Sequence, residues 1–283
     1  VQSLGAACQE YNQVQPTGSL QVTNFVWPSF RFKIQQDYTK TLSQIFGSQV
    51  HPLDFSTDAA RATINKQVAA ATQNLILQLI PPGVLDSSTD LVLTNTIYLK
   101  CKWDKPFDPA VTRLARFHSG KSSRPCNLMH QTDKFGYYED SKVQVAQLPY
   151  AGKRFEMLVV LPRPEADLRK IERDLDSKTY QTWVQELSHE KLSLSLPRFK
   201  VASNLSLEKP LMELGLQRIF SSTEADLSGI ATGKGLHVSR VLQQAVIKAD
   251  EMGTTAAAAT AVATARGMSK ITSFVADRPF LFA

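Results

Sequence analysis

The segment from Thr254 to Ala265 places the strongest constraint on how this chain can fold. It contains only alanine, threonine and valine, and no proline occurs between Pro210 and Pro279. A strand in the middle of a sheet has both faces covered and donates every backbone N–H, so it requires small side chains and excludes proline. The segment meets both requirements, and Gly253 before it can act as a hinge. Its run of alanines also suits an exposed helix or a flexible linker, and composition alone leaves that alternative open.

The composition is that of an ordinary globular protein. The 283 residues are 43% hydrophobic and 20% charged, which is enough to bury a sizeable core. No stretch approaches the roughly 20 apolar residues that span a bilayer, and residues 1–15 carry no signal-peptide pattern, so we expect no membrane partner and a targeting peptide removed or outside the chain. The net charge of +6 comes from dispersed basic residues without a nucleic-acid motif, so nucleic acid is not an expected partner.

The sequence shows no catalytic or metal-binding constellation. Gly120-Lys121-Ser122 looks like the end of a phosphate-binding loop, but Ala115 stands where the first glycine belongs, so we interpret it as a surface turn. His189-Glu190 begins a zinc-protease motif whose second histidine would fall at Ser193. Three cysteines form neither a metal-type pair nor a disulfide framework: Cys8, Cys101 and Cys126. We therefore expect no catalytic residues, no metal and no enzymatic activity.

Apolar periodicity predicts strands and helices in an α+β order. The predicted strands are Leu20–Val26, Val50–Phe55, Leu91–Leu99, Val143–Leu148, Phe155–Leu161 and Leu192–Leu196. The predicted helices are Ile34–Phe46, Ala59–Leu79, Leu168–Leu187 and Leu205–Leu214, the last ended by Gly215 in a left-handed cap. The chain has no internal repeat and no obvious linker, which favours one domain over residues 1–283.

Short blocks along the chain resemble the serpin family. A Glu-x-Gly-Thr hinge from Glu251 to Thr254 precedes the alanine-rich run, and Arg278-Pro279-Phe280 follows it. Further blocks occur in the family's order from about Leu20 onwards, among them Asp54-Phe55, Ile64-Asn65, Leu91 to Lys100 with Trp103, Pro106 to Pro109 with Thr112, Leu148-Pro149-Tyr150, Leu196 to Phe199 and Ala225 to Ile230. The resemblance implies the α+β serpin fold, with a large central mixed sheet A, sheets B and C, surrounding helices and an exposed reactive-centre loop at about residues 251–275.

The resemblance also implies inhibition of a serine protease. In the family, a protease attacks the loop, its serine forms a covalent acyl bond, and the cleaved loop inserts as a new strand that distorts the protease. The hinge residues are of the types found in inhibitory members: Glu251, Gly253, Thr254, Thr255, Ala256, Ala257, Ala258 and Ala259. The alternative is a non-inhibitory serpin, such as a hormone carrier, a peptide-hormone precursor or a chaperone.

Two bonds are candidates for the protease's target. Counting forward from Glu251 by the family's usual spacing reaches Gly267, and Arg266 lies one residue short, a spacing that some inhibitory members use. Arginine suits the pocket of a trypsin-like or thrombin-like protease. Counting back from Pro279 favours Met268-Ser269 and a chymotrypsin- or elastase-like target. We predict the bond Arg266-Gly267, with Met268-Ser269 as second choice.

The sequence departs from the family's pattern at three residues and at both ends. Gln243 replaces a histidine common beneath the insertion point, Gln67 replaces a tryptophan, and Met252 replaces an acidic residue. We expect the family's first helices and its last two buried strands to exist in the native protein outside this sequence.

Asn204-Leu205-Ser206 is an acceptor sequence for glycosylation, which indicates the secretory route. We expect a secreted, extracellular monomer without a resident cofactor. Heparin or another polyanion is a minor alternative as a partner. The family's heparin-binding helix belongs near residues 1–15, which contain no Lys or Arg, so a glycosaminoglycan would have to use another face.

Overall fold

The computed structural model describes residues 5–6, 9–10, 12, 18–254 and 271–283. The chain divides into two compact units, the first made of residues 1–99 and 201–247 and the second of residues 100–200 and 248–283. The single domain expected from the sequence stays a prediction. Within the described residues, none of the helices combines the length and the apolar content that a membrane crossing needs.

Strands predominate among the described elements. The strands are β1 (Gly18–Pro28), β2 (Lys33–Ile34), β3 (Gln49–Val50), β4 (Leu91–Lys102), β5 (Arg113–Ser119), β6 (Ser122–Glu139), β7 (Val143–Pro149), β8 (Glu156–Pro162), β9 (Ser188–Pro197), β10 (Phe199–Ser206), β11 (Ala231–Thr232), β12 (Val238–Asp250), β13 (Gly253–Thr254), β14 (Thr272–Val275) and β15 (Leu281–Phe282). The α-helices are α1 (Gln36–Phe46), α2 (Asp58–Ala71), α3 (Leu168–Asp174), α4 (Ser177–Gln185) and α5 (Glu208–Glu213), and 3₁₀ turns cover Pro109–Val111 and Gln217–Phe220.

The sheet of the first unit is built around β4 and β12. These strands pair in parallel, from Leu91 opposite Val238 to Tyr98 opposite Val246. β1 lies beside β4 and pairs with β3. Apolar side chains of the strands and of α2 share one buried core, which includes Trp27, Ile64, Val68 and Leu242. The amphipathic pattern of α2 therefore covers one face of this sheet.

A row of amide side chains crosses three strands of the first unit. Gln243 on β12 donates from Nε2 to Asn95 Oδ1 on β4 at 2.8 Å, and Asn95 donates from Nδ2 to Asn24 Oδ1 on β1 at 2.7 Å. Because glutamine does not titrate, the side-chain contact between β4 and β12 is independent of pH in the physiological range. Gln67, the other residue of this unit that differs from the family's pattern, is exposed on α2.

The second unit contains a seven-stranded sheet in the order β14-β9-β6-β7-β8-β15, with β5 paired to β6. β14 runs parallel to β9, whereas the other pairs are antiparallel, so the sheet is mixed. Trp183 of α4 packs with Val145 and Val160 in the core beneath it. The predicted α+β class is confirmed.

The predicted helix Ala59–Leu79 is wrong at its end, because α2 stops at Ala71. Gln73 and Asn74 adopt positive φ angles of 50° and 61°, and the chain folds back along the helix. Asn65 of α2 then accepts from the N–H of Leu79 and donates to the carbonyl of Ile80, at 3.0 and 2.9 Å. The helix thus ends at a left-handed turn well before Pro81-Pro82-Gly83, and Asn65 holds the chain that returns from that turn.

Three other predicted elements differ in extent. The predicted helix Leu168–Leu187 is two helices, because the carboxylate of Asp176 accepts from Thr179 N–H and starts a new helix. The predicted helix Leu205–Leu214 shrinks to α5, because its first two residues extend β10. Gly215 does adopt the predicted left-handed conformation, with φ of 99°. The predicted strand Val50–Phe55 retains only its first residue, in β3.

Replacing Asn65 should destabilise the first unit strongly. Its side chain is 7% exposed, and its Oδ1 accepts from the backbone N–H groups of Leu79 and Ile80. Asn65→Ala leaves two buried donors and one acceptor unsatisfied, which costs about 3 kcal/mol or more. Lys66→Ala, at the next and exposed residue of α2, serves as the matched control. Urea unfolding should show Asn65→Ala as clearly the less stable, and equal midpoints for the two variants would contradict this account.

Candidate functional site

A two-residue strand follows the end of β12. Glu251 and Met252 form a tight turn, and β13 then runs antiparallel to β12, with Asp250 opposite Gly253 and Ala249 opposite Thr254. On its other side β13 pairs antiparallel with the end of β4, where Gly253 lies opposite Lys102 and Thr254 opposite Cys101. We call residues 249–254 the hinge. Its last two residues occupy the position of a strand between β12 and β4.

A buried carboxylate holds the turn of the hinge. Glu251 is 5% exposed and forms an ion pair with Arg198, whose Nε lies 2.7 and 2.8 Å from the two carboxylate oxygens. Thr112 donates to Glu251 Oε1 at 2.5 Å, and the Glu251 carbonyl accepts from Phe107 N–H at 2.8 Å. Both carboxylate oxygens and the carbonyl oxygen of Glu251 are thus paired, and pairing of the carboxylate is the condition for burying its charge without a large penalty.

The pairing of Glu251 determines the sign of its pKa shift. Burial by itself raises the pKa of this carboxyl, but the hydrogen bonds from Arg198 and Thr112 outweigh burial and hold the pKa below its usual value. A carboxyl whose pKa is lower in the folded state stabilises that state above its unfolded pKa, and this contribution is lost as the pH falls through the folded pKa. The hinge is therefore held most firmly at neutral and alkaline pH.

Gly253 lies too close to β4 for any side chain. A Cβ atom placed on it would meet the carbonyl oxygen of Cys101 at 2.1 Å and the Cα of Lys102 at 2.6 Å. Its φ angle of 139° is also one that side-chain-bearing residues rarely adopt. Both facts require glycine here, as the sequence predicted for a hinge.

Thr254 is fully buried and rests on an aromatic cluster. Its hydroxyl lies 2.9 Å from the hydroxyl of Tyr150, and either oxygen can be the donor. The ring of Tyr150 stacks on Trp103 with centroids 4.6 Å apart, and Phe107 meets Trp103 edge-on at 6.3 Å. Burial raises the pKa of Tyr150, so its hydroxyl stays protonated and available to Thr254. The indole N–H of Trp103 donates to the carbonyl of Asp250 at 2.8 Å, which ties the cluster to the end of β12.

The segment after residue 270 is anchored in the seven-stranded sheet. β14 pairs with β9 from Thr272 opposite Leu192 to Val275 opposite Ser195. Arg278 donates from Nε to the carbonyl of Pro162 at 3.0 Å. The last four residues of the predicted reactive-centre loop, 272–275, therefore form a strand of the second unit, which also contains the hinge.

Several predicted site residues lie outside the described residues. They are Thr255, Ala256, Ala257, Ala258, Ala259, Arg266, Gly267, Met268 and Ser269. The structure brings Glu251, Gly253 and Thr254 together in the hinge. Asn204, the predicted glycosylation site, is exposed on β10. Among the residues that the structure covers, no group of histidine, cysteine or carboxylate side chains is arranged to hold a metal ion.

The partners of the hinge had no assigned role from sequence. Arg198, Thr112 and Tyr150 occur in the serpin-like blocks, but nothing beside them along the chain connects them with Glu251 or Thr254. They lie 53, 139 and 104 residues away from their hinge partners.

Comparison with known proteins points to one family. The model of the family described as "Serpin (serine protease inhibitor)" matches residues 1–283. The chain is 34% identical to human antithrombin-III over 282 residues, which are 97% of this chain but 61% of that protein. It is also 34% identical to human leukocyte elastase inhibitor over 275 residues, 93% of this chain and 73% of that protein. The chain thus spans less than two thirds of the length of antithrombin-III.

Solved structures agree with the sequence comparison. Human thyroxine-binding globulin superposes with a TM-score of 0.91 at 26% identity, over 99% of this chain and 75% of that one. Native protease nexin-1, solved with heparin, superposes with a TM-score of 0.87 at 28% identity, over 99% of this chain and 78% of that one. The predicted fold and family are confirmed.

Neutralising Glu251 should loosen the hinge at neutral pH but not in acid. Glu251→Gln removes the charge that Arg198 and Thr112 bind, and we expect a loss of about 1–2 kcal/mol at pH 7.5, limited because Arg198 is partly exposed. The difference from the parent should shrink in acid, as the pH falls through the lowered pKa of the parent's carboxyl, because that carboxyl then becomes neutral too. Hydrogen exchange in residues 248–254 measures the effect. Glu213→Gln, which alters an exposed carboxylate on α5, is the control, and a pH-independent difference would contradict this mechanism.

Proposed function

This chain belongs to the serpin family, and from that premise we propose that it inhibits a serine protease of trypsin-like or thrombin-like specificity by inserting its cleaved loop into its own sheet. The protease would be a covalent partner. Its human relatives include a protein named antithrombin and one named for the inhibition of leukocyte elastase.

The geometry of β13 is the observation that carries the proposal. Gly253 and Thr254 already have a hydrogen-bonding neighbour strand on each side, as an inserted strand requires. The residues that follow, 255–265, are Ala, Thr or Val, so each can donate to a ladder and none needs more room than a β-branched side chain. Because Thr254 is already in register with both neighbours, the residues after it can extend the same strand between β4 and β12.

The chemistry begins at the Arg266-Gly267 bond. The protease's serine oxygen attacks the carbonyl carbon of Arg266, an ester forms, and the amide bond to Gly267 breaks as that nitrogen leaves with a proton. The loop is then free at its new end. Hydrolysis of the ester would release an intact protease, so inhibition requires insertion to be faster than that hydrolysis.

The free energy for insertion comes from completing the sheet. In the first unit β4 and β12 pair directly from Leu91 to Tyr98, and these pairs would have to separate, together with the bond between Gln243 and Asn95. A new strand between them replaces every lost backbone hydrogen bond and adds a second set. Large or charged side chains at residues 255–259 would slow the process, because they would have to be buried.

A non-inhibitory function is the alternative. Thyroxine-binding globulin, which has this fold, was solved in complex with thyroxine. The small residues from Thr254 to Ala259 favour the inhibitor, because a carrier does not require them.

We also propose secretion, glycosylation at Asn204 and a monomeric state, with no resident cofactor. The exposed position of Asn204 on β10 supports modification, because a buried acceptor could not accommodate a glycan. A polyanion is proposed as an additional partner, supported by the structure of protease nexin-1 with heparin.

Incubation with trypsin, thrombin, chymotrypsin and elastase tests inhibition. We expect an SDS-stable complex with trypsin or thrombin and a released C-terminal fragment that begins at Gly267. Arg266→Ala should abolish that complex, whereas Met268→Ala should leave it unchanged; the reverse pattern and a fragment that begins at Ser269 would identify the second bond. Ala256→Arg should be cleaved at an equal rate without forming a complex. Clean cleavage of the parent would place the protein in the non-inhibitory branch.

Glycosylation is tested by expression in a secreting eukaryotic cell. The protein should appear in the medium, and its mass should fall after treatment with an N-glycosidase. The Asn204→Gln variant should have the lower mass without treatment, because it carries no glycan. Retention of an unmodified chain inside the cell, with an intact secretion signal supplied, would contradict the proposal.

A further inference from the structure

The positive charge of the chain is concentrated in one short segment. Residues 113–124 contain four basic side chains and no acidic one. Lys and Arg outnumber Asp and Glu by 32 to 26 in the whole chain, but only by 28 to 26 when this segment is left out. Two thirds of the net charge therefore lies in twelve residues, although the basic residues look dispersed along the sequence.

These residues form the hairpin of β5 and β6. The two strands pair from Arg113 opposite Leu128 to Ser119 opposite Ser122, and the turn at Gly120 and Lys121 is exposed, as the sequence predicted. The four cations are all exposed: Arg113, Arg116, Lys121 and Arg124. Among the described residues, none of the four forms an ion pair; Arg116 donates only to the hydroxyl of Ser123, at 2.9 Å. We call this segment the basic hairpin.

The cations surround the hairpin instead of covering one side. Residues directly opposite each other in neighbouring strands share a face, and successive residues alternate between faces. Phe117 lies opposite Arg124, and Arg116 opposite Pro125. Arg113 and Arg124 are consequently on one face, Arg116 is on the other, and Lys121 is at the tip. Among the described strands β5 pairs with β6 alone, and the backbone of Asp277 lies against its outer edge at His118.

The hairpin has a fixed position beside the segment that follows the loop. His118 donates its backbone N–H to the carbonyl of Asp277 at 2.7 Å, and Phe117 meets Phe280 edge-on at 6.5 Å. The carboxylate of Asp277 forms an ion pair with Arg278 at 3.1 Å. Because its charge is already balanced there, it does little to neutralise the four cations of the hairpin. A ligand on the basic hairpin would lie next to the distal anchor of the reactive-centre loop.

We propose that the basic hairpin binds a thin, flexible, sulfated polysaccharide. This inference rests on the polyanion partner proposed above and names the surface that binds it. Four unpaired cations attract a polyanion and release its counterions on contact. A rigid duplex laid on one face would reach only part of the set, whereas a flexible chain that bends around the tip at Lys121 can contact cations on both faces. Residues 1–15 cannot supply this surface, since they contain no basic side chain.

Elution of the full chain from immobilised heparin tests the assignment. The hairpin variant carries Arg113→Gln, Arg116→Gln, Lys121→Gln and Arg124→Gln. The control variant carries Arg169→Gln, Lys170→Gln, Arg173→Gln and Lys178→Gln, which removes the same charge from exposed residues of α3 and α4 that lie among acidic neighbours. We expect the hairpin variant to lose affinity about tenfold or more near 0.15 M salt, with the slope of log affinity against log salt lowered by about 3, at about 0.7 per lost contact for a single-stranded polyanion. The control should elute close to the parent.

Each other outcome overturns a defined part of the proposal. Equal losses in the two variants would show that total charge, not the hairpin, decides binding. If the parent protein does not bind to the heparin column, the proposed polyanion partner is itself rejected. The proposal of protease inhibition is tested separately and would be unaffected. Equal competition by duplex DNA at matched anion concentration would reject the flexible polysaccharide. A variant with Arg113→Lys, Arg116→Lys and Arg124→Lys should keep most of the affinity, and a loss of helix and strand signal in it or in the Gln variant would identify misfolding.

Discussion

The pairing of Gly253 and Thr254 with strands on both sides is the constraint on which the hinge depends. A residue can lie between β12 and β4 only if its backbone matches both ladders and its side chain fits between two covered faces. Gly253 meets this condition by having no side chain, because the backbone of β4 is too close for a Cβ. Thr254 meets it by sharing a hydroxyl contact with Tyr150. The other contacts of the hinge keep these two residues in register.

Two kinds of interaction hold that register, and they respond differently to conditions. The ion pair of Glu251 with Arg198 is directional and depends on pH, because the carboxylate is buried and its partner is always charged. The aromatic cluster of Trp103, Phe107 and Tyr150 is insensitive to pH and supports the hinge by packing. The contact between Gln243 and Asn95 is also neutral. A fall in pH should therefore loosen the turn at Glu251 before it disturbs the pairing of the strands.

Short-range patterns predicted much of the fold, and long-range contacts explain the errors. Strands β4, β7, β8 and β9 follow from alternation and β-branched composition, which act within a few residues. The end of α2 does not, because the chain turns back at Gln73 and Asn74 and is held there by hydrogen bonds from Leu79 and Ile80 to Asn65. The break between α3 and α4 does have a local cause, because Asp176 is the N-cap of α4. The apolar pattern continues across the break, however, and so predicts one helix instead of two. At the site, Gly253 follows from the sequence itself, and Glu251 and Thr254 follow from the family resemblance. Arg198, Thr112 and Tyr150 have no assigned role from either.

The sequence by itself determined the properties that belong to a segment whatever its neighbours: the absence of proline between Pro210 and Pro279, the small residues after Thr254, the glycine of the hinge, and the number of charges. Tertiary structure alone decided which groups meet. It placed Arg198 on Glu251, and it folded Arg113 and Arg124 onto one face of a hairpin through the pairing of β5 with β6. The physical reason is that backbone conformation and side-chain size are encoded locally, while burial, ion pairing and local charge density depend on strands that pair across long distances in sequence.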